Sequence, residues 1–247
     1  MTIPLPSGTQ VLPDAEAVAR AAADRLLAIC ADAPGDRVAI CLSGGSTPKR
    51  LYALLAGADY VDRVPWARIH WFFGDDRVVP WDDPLSNVRM AREAFGHGAP
   101  IPRTHLHFIP SDLGAEAGAR SYARTLRDFY GAERLDPARP LFDLVLLGLG
   151  EDGHTASLFP GKPALHEASA WAAPVPEAGM APFVPRITLT YPALASSRWI
   201  LFLVTGAGKR DPLRRLAAGE DLPAAQVTSR GRVAWLIDAA AADQAGG

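Results

Sequence analysis

Val38-Ala39-Ile40-Cys41-Leu42, followed at once by Ser43-Gly44-Gly45-Ser46-Thr47-Pro48, is the stretch on which the fold turns. Five apolar residues in an unbroken run predict a strand buried on both faces, as in a parallel sheet. Two glycines and then hydroxyls predict a tight turn, and Pro48 suits the first helical position, where its missing N–H costs nothing. Thr47 is the candidate N-cap.

The same alternation extends in both directions. Upstream, Asp14 to Ala31 carries Val18, Ala22, Leu26 and Ile29 at helical spacing behind a candidate N-cap, Asp14. Downstream, apolar runs recur at Ile69-His70-Trp71-Phe72-Phe73, Leu144-Val145-Leu146-Leu147, Trp199 to Val204 and Val233 to Ile237. Helical candidates lie between them at Pro48 to Leu55, Asn87 to Phe95, Asp112 to Tyr130 and Pro212 to Ala218. Strands alternating with helices predict an α/β fold with a mainly parallel sheet. The proline-rich stretch from Pro174 to Pro185 reads as a long loop inside that alternation, so residues 1–247 are expected to form one α/β domain.

In open sheets of this kind ligands bind beyond the carboxyl ends of the strands. There the sequence places Ser43-Gly44-Gly45-Ser46-Thr47, Gly74-Asp75-Asp76-Arg77, Gly148 to His154, and Thr205-Gly206-Ala207-Gly208-Lys209. Polar, glycine-rich chemistry thus follows four different strands, which points to one site assembled from four loops. The Ser43 to Thr47 loop opens a helix and is a candidate anion site; its spacing is not that of a Walker loop.

Gly148-Leu149-Gly150-Glu151-Asp152-Gly153 matches G-x-G-x-x-G in form. Glu151 and Asp152 would repel a pyrophosphate, Pro160-Gly161 comes too soon for the long helix of a dinucleotide unit, and the motif sits in mid-chain. The loop instead displays Asp152 and His154 on a tight turn, a carboxylate that can orient an imidazole general base. Arg77 is a fixed cation able to stabilise charge developing on oxygen. Lys209 and Arg186 are further candidate phosphate or oxyanion ligands. His105 and His107 alternate with Leu106, as if on one strand face, but no acid or thiol neighbours them in sequence, so no metal is expected.

The bulk numbers narrow the classes. With 247 residues, a net charge of −2 and 21% charged residues, the chain has no basic footprint for nucleic acid or an anionic membrane. Met1 to Pro6 has no signal-peptide pattern, and no apolar run nears the ~18 residues of a membrane span. Cys30 and Cys41 make no disulfide framework. Both are expected to be buried, as are Trp71, Trp199 and Trp235, and the chain is expected to be cytoplasmic.

Together these motifs resemble the 6-phosphogluconolactonase family, which is related to the glucosamine-6-phosphate isomerases/deaminases. The resemblance runs from about Asp14 to Ile237. It rests on Leu42 to Pro48, Gly74 to Pro80, Ser86-Asn87, Gly148 to Pro160, Arg186-Ile187-Thr188, and Val204-Thr205-Gly206 with Lys209, in that order. It implies a Rossmann-like sheet flanked by helices, with a small appended lobe and no bound nucleotide. It further implies hydrolysis of 6-phospho-D-glucono-1,5-lactone by a monomer without metal or organic cofactor. The implied catalytic set is His154, Asp152 and Arg77, with Ser43, Gly44, Gly45, Ser46, Thr47, Asp75, Arg186 and Lys209 holding substrate. Two alternatives remain at this point, a glucosamine-6-phosphate deaminase and a non-catalytic sugar-phosphate sensor. Deaminases typically carry a glutamate just before the Pro-Gly pair, where this chain has Phe159, and tyrosine at the position of Arg77. A sensor would carry a helix-turn-helix or partner module, for which no spare basic segment exists.

Overall fold

The computed structural model describes residues 5–243, so the reading of Met1 to Pro4 lies outside the described residues. Nine strands form two sheets. The larger sheet contains β1 (Thr9–Leu12), β2 (Val38–Leu42), β3 (Ile69–Phe73), β5 (Phe142–Leu147), β8 (Ser197–Val204) and β9 (Arg232–Asp238). Its order is β1-β9-β8-β5-β2-β3 and every neighbouring pair is parallel. The smaller sheet is antiparallel, with β4 (Asp75–Arg77) and β6 (Ala172–Val175) on either side of β7 (Arg186–Leu189). It is the appended lobe that the resemblance implies.

The helices are α1 (Ala15–Asp32), α2 (Ser46–Leu55), α3 (Asn87–Phe95), α4 (Gly114–Tyr130), α5 (Tyr191–Ala195) and α6 (Arg210–Ala217). Asp14 caps α1 by accepting the Ala17 N–H at 2.8 Å. Val18, Ala22, Leu26 and Ile29, the stripe read from the sequence, are all buried, and α1 packs them over β5, β8 and β9. β2 is buried along its whole length, as its uninterrupted apolar run requires.

Two buried phenols finish the strands on which the site is built. Tyr52, from α2, accepts the Ser43 N–H at 2.9 Å and donates to the Ser43 carbonyl at 2.8 Å. Tyr122, from α4, does the same at Phe73, at 2.8 and 2.9 Å. Where a strand bends out of its ladder, its N–H and C=O lose their partners, and buried backbone polar groups must find others. One hydroxyl serves both groups each time, and so anchors the start of a site loop to a helix.

The structure departs from the sequence reading at several places. Helix α2 starts at Ser46 behind Gly45, whose φ of 110° no L side chain adopts easily, so Thr47 lies within the helix and Pro48 is its third residue. Pro174 lies within β6, at the edge of the small sheet, where a missing N–H is tolerated. His105 ends a 3₁₀ turn, Arg103–His105, and its ring stacks on His70 instead of sharing a strand face with His107. Trp199 is half-buried, with the Arg25 and Arg232 guanidinium groups each 5.2 Å from its ring, whereas Trp71 and Trp235 are core. Cys30 and Cys41 are both free and buried. No helix among the described residues is long and apolar enough to cross a membrane.

Candidate active site

The four strand-end loops converge on one cleft of about 250 Å³, lined by residues of all four and by Arg186. Ligand pockets usually run to ~300–1,000 Å³, so this one suits a small, compact molecule.

Its floor holds the Asp152-Gly153-His154 turn after β5. The turn closes through Gly150 N–H to the His154 carbonyl at 2.8 Å and Gly153 N–H to the Gly150 carbonyl at 3.0 Å. Asp152 Oδ1 accepts the His154 backbone N–H at 3.0 Å and lies 2.6 Å from His154 Nδ1. Burial disfavours the Asp152 carboxylate, but the bonds from the His154 ring and backbone outweigh it and hold the carboxyl below its ordinary range. An ionised carboxylate only accepts, so in the neutral imidazole the proton sits on Nδ1 and the lone pair on Nε2. Gly150 is required by close approach: a Cβ there would lie 2.0 Å from His154 Nδ1. On its other side the imidazole packs against Phe159, with centroids 4.5 Å apart. Phe159 is fully buried.

The cations come from the small sheet. Arg77 and Arg186 face each other in the β4–β7 register, and Asp75 faces Thr188. Alternation along a strand turns Asp75 and Arg77 to one face and Asp76 to the other. Arg77 Nη1 donates to the Leu85 carbonyl at 2.6 Å. Arg186 Nη2 donates to the Met180 and Pro182 carbonyls at 3.3 and 3.1 Å, and the guanidinium lies 5.2 Å over the Phe159 ring. The Nε atoms of both arginines are buried without a hydrogen-bond partner. Burial lowers the Arg186 pKa while Asp75 raises it; an arginine stays charged regardless. Two neighbouring guanidinium groups with unused donors form a receptor for an anionic oxygen.

Asp76, on the opposite face, is fully buried and caps α3. It accepts the N–H groups of Arg77 and Asn87 at 2.8 and 2.7 Å and the Ser86 hydroxyl at 3.0 Å. Burial nevertheless pushes its carboxyl up to about 6.

Asp75 is a junction. Its Oδ2 accepts the Ser157 hydroxyl at 2.6 Å, its Oδ1 accepts Asn87 Nδ2 at 3.3 Å, and Ser157 N–H donates to Thr188 Oγ1 at 3.2 Å. Ser157, fully buried, thereby ties the loop of the imidazole to the sheet of the cations. Between them Ala156, on the cleft wall, is held at φ 48°, a left-handed conformation that costs a residue with a Cβ of the order of 1 kcal/mol or more.

The far end of the cleft is set for an anion. Helix α2 begins at Gly45 with no side chain capping its first N–H groups. Thr47 Oγ1 shares a hydrogen bond of 2.7 Å with Thr205 Oγ1, joining the loops after β2 and β8. Lys209 lines the same end and forms no ion pair among the described residues. Ser43 and Gly44 complete the wall, and Gly44 lies so close to Asn87 that a Cβ would meet its Oδ1 at 2.2 Å.

Every sequence-derived site residue except Asp152 lines the cleft, and Asp152 stands directly behind His154. The candidate set lacked Asn87, Ser157 and Thr205. All three lie in motifs noted above, but their cross-loop bonds have no signature in one sequence. Among the described residues no group of three or more His, Cys, Asp or Glu is placed to hold a metal ion.

Known proteins resemble this chain along most of its length. The family described as glucosamine-6-phosphate isomerases/6-phosphogluconolactonase matches residues 13–235. The chain is 41% identical over 204 residues to a 6-phosphogluconolactonase of Synechocystis, covering 81% of each chain. It is 38% identical over 240 residues to one of Nostoc, covering 94% of this chain and 95% of the other. A solved 6-phosphogluconolactonase from Trypanosoma cruzi superposes with a TM-score of 0.85 at 29% identity, over 98% of this chain and 97% of that one.

Proposed function

The chain belongs to the glucosamine-6-phosphate isomerase/6-phosphogluconolactonase family, and within it we propose that it hydrolyses 6-phospho-D-glucono-1,5-lactone to 6-phosphogluconate, as in the oxidative pentose phosphate pathway. One observation carries the proposal: an imidazole clasped at Nδ1 by Asp152 shares a cleft with the side chains of Arg77 and Arg186.

The substrate has two handles. Its phosphate lies against the start of α2, the Ser43 to Thr47 loop, Thr205 and Lys209. Its carbonyl carbon lies before His154. As water attacks, His154 Nε2 takes its proton and Asp152 stabilises the resulting imidazolium. Arg77, with Arg186 beside it, holds the tetrahedral oxyanion. The bond from that carbon to the ring oxygen then breaks, and the imidazolium returns its proton to the departing oxygen. The carboxylic acid so formed ionises in water. One water is consumed and nothing is oxidised.

Phe159 favours this reading over deamination. It fills the space between His154 and Arg186, where a ring-opening acid would have to stand, and a phenyl ring transfers no proton. Loops of both sheets supply every group the mechanism uses, and action as a monomer of one α/β domain is part of the proposal. A free phosphosugar lactone as substrate supports a cytoplasmic site of action.

The test is to generate the lactone in situ and compare its hydrolysis with the spontaneous rate, offering glucosamine 6-phosphate in parallel. His154→Ala should lose ~10²–10⁴-fold in turnover while binding 6-phosphogluconate nearly normally. Unchanged turnover removes His154 from its role, and deamination without faster lactone opening overturns the proposal.

A further inference from the structure

On the other side of α3 lies a second cleft of about 1,040 Å³, some four times the volume of the first. Helix α3 divides them: Asn87 at its start faces the first, and Ala91, Arg92 and Phe95 line the second. The floor of the second cleft is again the carboxyl end of the large sheet, at Leu42 and Phe73. From there an aromatic ladder climbs to the rim. Phe73 and Phe108 have centroids 5.9 Å apart, and Phe108 and Trp81 5.2 Å. The Trp81 indole N–H is already used, donating to the Ile109 carbonyl at 2.9 Å, yet the residue remains 38% exposed. An exposed indole whose polar atom is satisfied offers only its π-face.

The rim carries unspent charge. Arg89 is engaged by Glu93 at 2.6 Å and by the Asp82 carbonyl at 2.8 Å. Arg92 and Arg103 line the same cleft, are exposed, and form no ion pair among the described residues; His97 joins them. Against these stands the single free carboxylate of Asp82. A purely apolar guest would leave both guanidinium groups unused, and a small inorganic anion would leave the ladder uncovered. A phosphosugar has no flat aromatic ring to lay on the ladder. The guest that satisfies both features has a flat aromatic body and an anionic tail: bases stack favourably on aromatic side chains, and guanidinium groups are the preferred donors to phosphate.

We propose that this cleft is a second binding site, separate from the catalytic one, for a nucleoside phosphate that stacks on Trp81 and Phe108 and places its phosphate on Arg92 and Arg103.

Titration calorimetry with AMP, adenosine and inorganic phosphate as separate probes tests it. AMP should bind with a Kd below about 1 mM, quench tryptophan fluorescence, and outbind both fragments by at least about ten-fold. The double variant Arg92→Ala/Arg103→Ala and the single variant Trp81→Ala should each weaken AMP by roughly ten-fold, with activity in the absence of AMP unchanged. Three results overturn the proposal: no heat with several millimolar AMP; phosphate binding as tightly as AMP; or AMP displaced by 6-phosphogluconate and lost in Lys209→Ala, which would place it in the first cleft.

Discussion

Gly150→Ala separates the fold from the chemistry in a single atom. A Cβ at this position would stand 2.0 Å from His154 Nδ1, 2.3 Å from Cε1 and 2.7 Å from Cγ. Ordinary contact begins near 3.4 Å, so the imidazole must retreat by about 1.4 Å. The obstacle is a side chain, which can swing away, so the global fold should survive with little loss in Tm. The 2.6 Å bond to Asp152 cannot survive that movement. It is a hydrogen bond to a charged group, of a kind that contributes roughly 1.5–3 kcal/mol, and it fixes the tautomer that leaves Nε2 free. A misplacement of about 1 Å at a reacting group can cost ~10²-fold. Turnover should therefore fall by ~10²-fold or more, while 6-phosphogluconate binding, measured by calorimetry, changes little because the phosphate end is untouched. The assay is lactone hydrolysis corrected for the spontaneous rate, with a thermal melt run alongside. Turnover within about three-fold of the parent, at unchanged Tm, would refute the role given to the Asp152–His154 pair.

Two further outcomes follow from the same bonds. Ser157→Ala removes the hydroxyl that ties the imidazole loop to Asp75 at 2.6 Å. It should lower kcat by roughly 10–100-fold with KM little changed, and lose its effect when Asp75 is already Asn; a pure KM change would count against a positioning role. The histidine stack at the edge of the large sheet makes stability depend on pH. Burial holds His70 and His107 down to about 4, and His70 Nδ1 lies 3.1 Å from His107 Nε2. Unfolded histidines take up protons near pH 6.5, whereas these do so only near pH 4. Their stabilising contribution is therefore complete above about pH 6.5 and lost as pH falls towards 4. Their partial exposure and mutual coupling limit the loss to the order of 1–3 kcal/mol. Urea melts at pH 7.5 and 4.5 should show it, and His107→Gln should reduce the difference; an equal difference in the variant would clear the stack of responsibility.

Five of the six strands of the large sheet are legible in the sequence as apolar runs, whereas the edge strand β1, which is not buried on both faces, has no such run. The apolar runs Val38–Leu42 and Ile69–Phe73 match their strands to the residue, and the helical candidate Asn87–Phe95 matches α3. The small sheet is not legible in this way. β4 has three residues and β6 contains a proline, so neither has a period long enough to read, and β4 entered the analysis only as a charged loop. That is why Arg77 and Arg186 could be proposed one by one but not as a facing pair: the pairing is a matter of register between segments more than a hundred residues apart. Asp75 shows the same limit from the other side. The sequence reads it as a substrate ligand, and it does line the cleft, but its two oxygens also receive Ser157 and Asn87, bonds that make it a brace between loops.

The Asp-Gly-His turn by itself leaves the reaction open; the occupant of the space beside it does not. Phe159 touches the His154 ring on one side and lies beneath the Arg186 guanidinium on the other, fully out of water. An apolar ring there sets the separation between base and cation without altering the charge of either. A carboxylate in the same place would be drawn to Arg186, cancelling part of the positive field an oxyanion needs, and would compete with Asp152 for the imidazole. It would also bring a proton carrier to bear on a sugar ring oxygen. One position therefore serves either as an inert spacer, which suits charge building on a carbonyl oxygen, or as an acid, which suits ring opening. It cannot do both, and in this chain the spacer leaves the charge of Arg77 and Arg186 available for the oxyanion of the proposed mechanism.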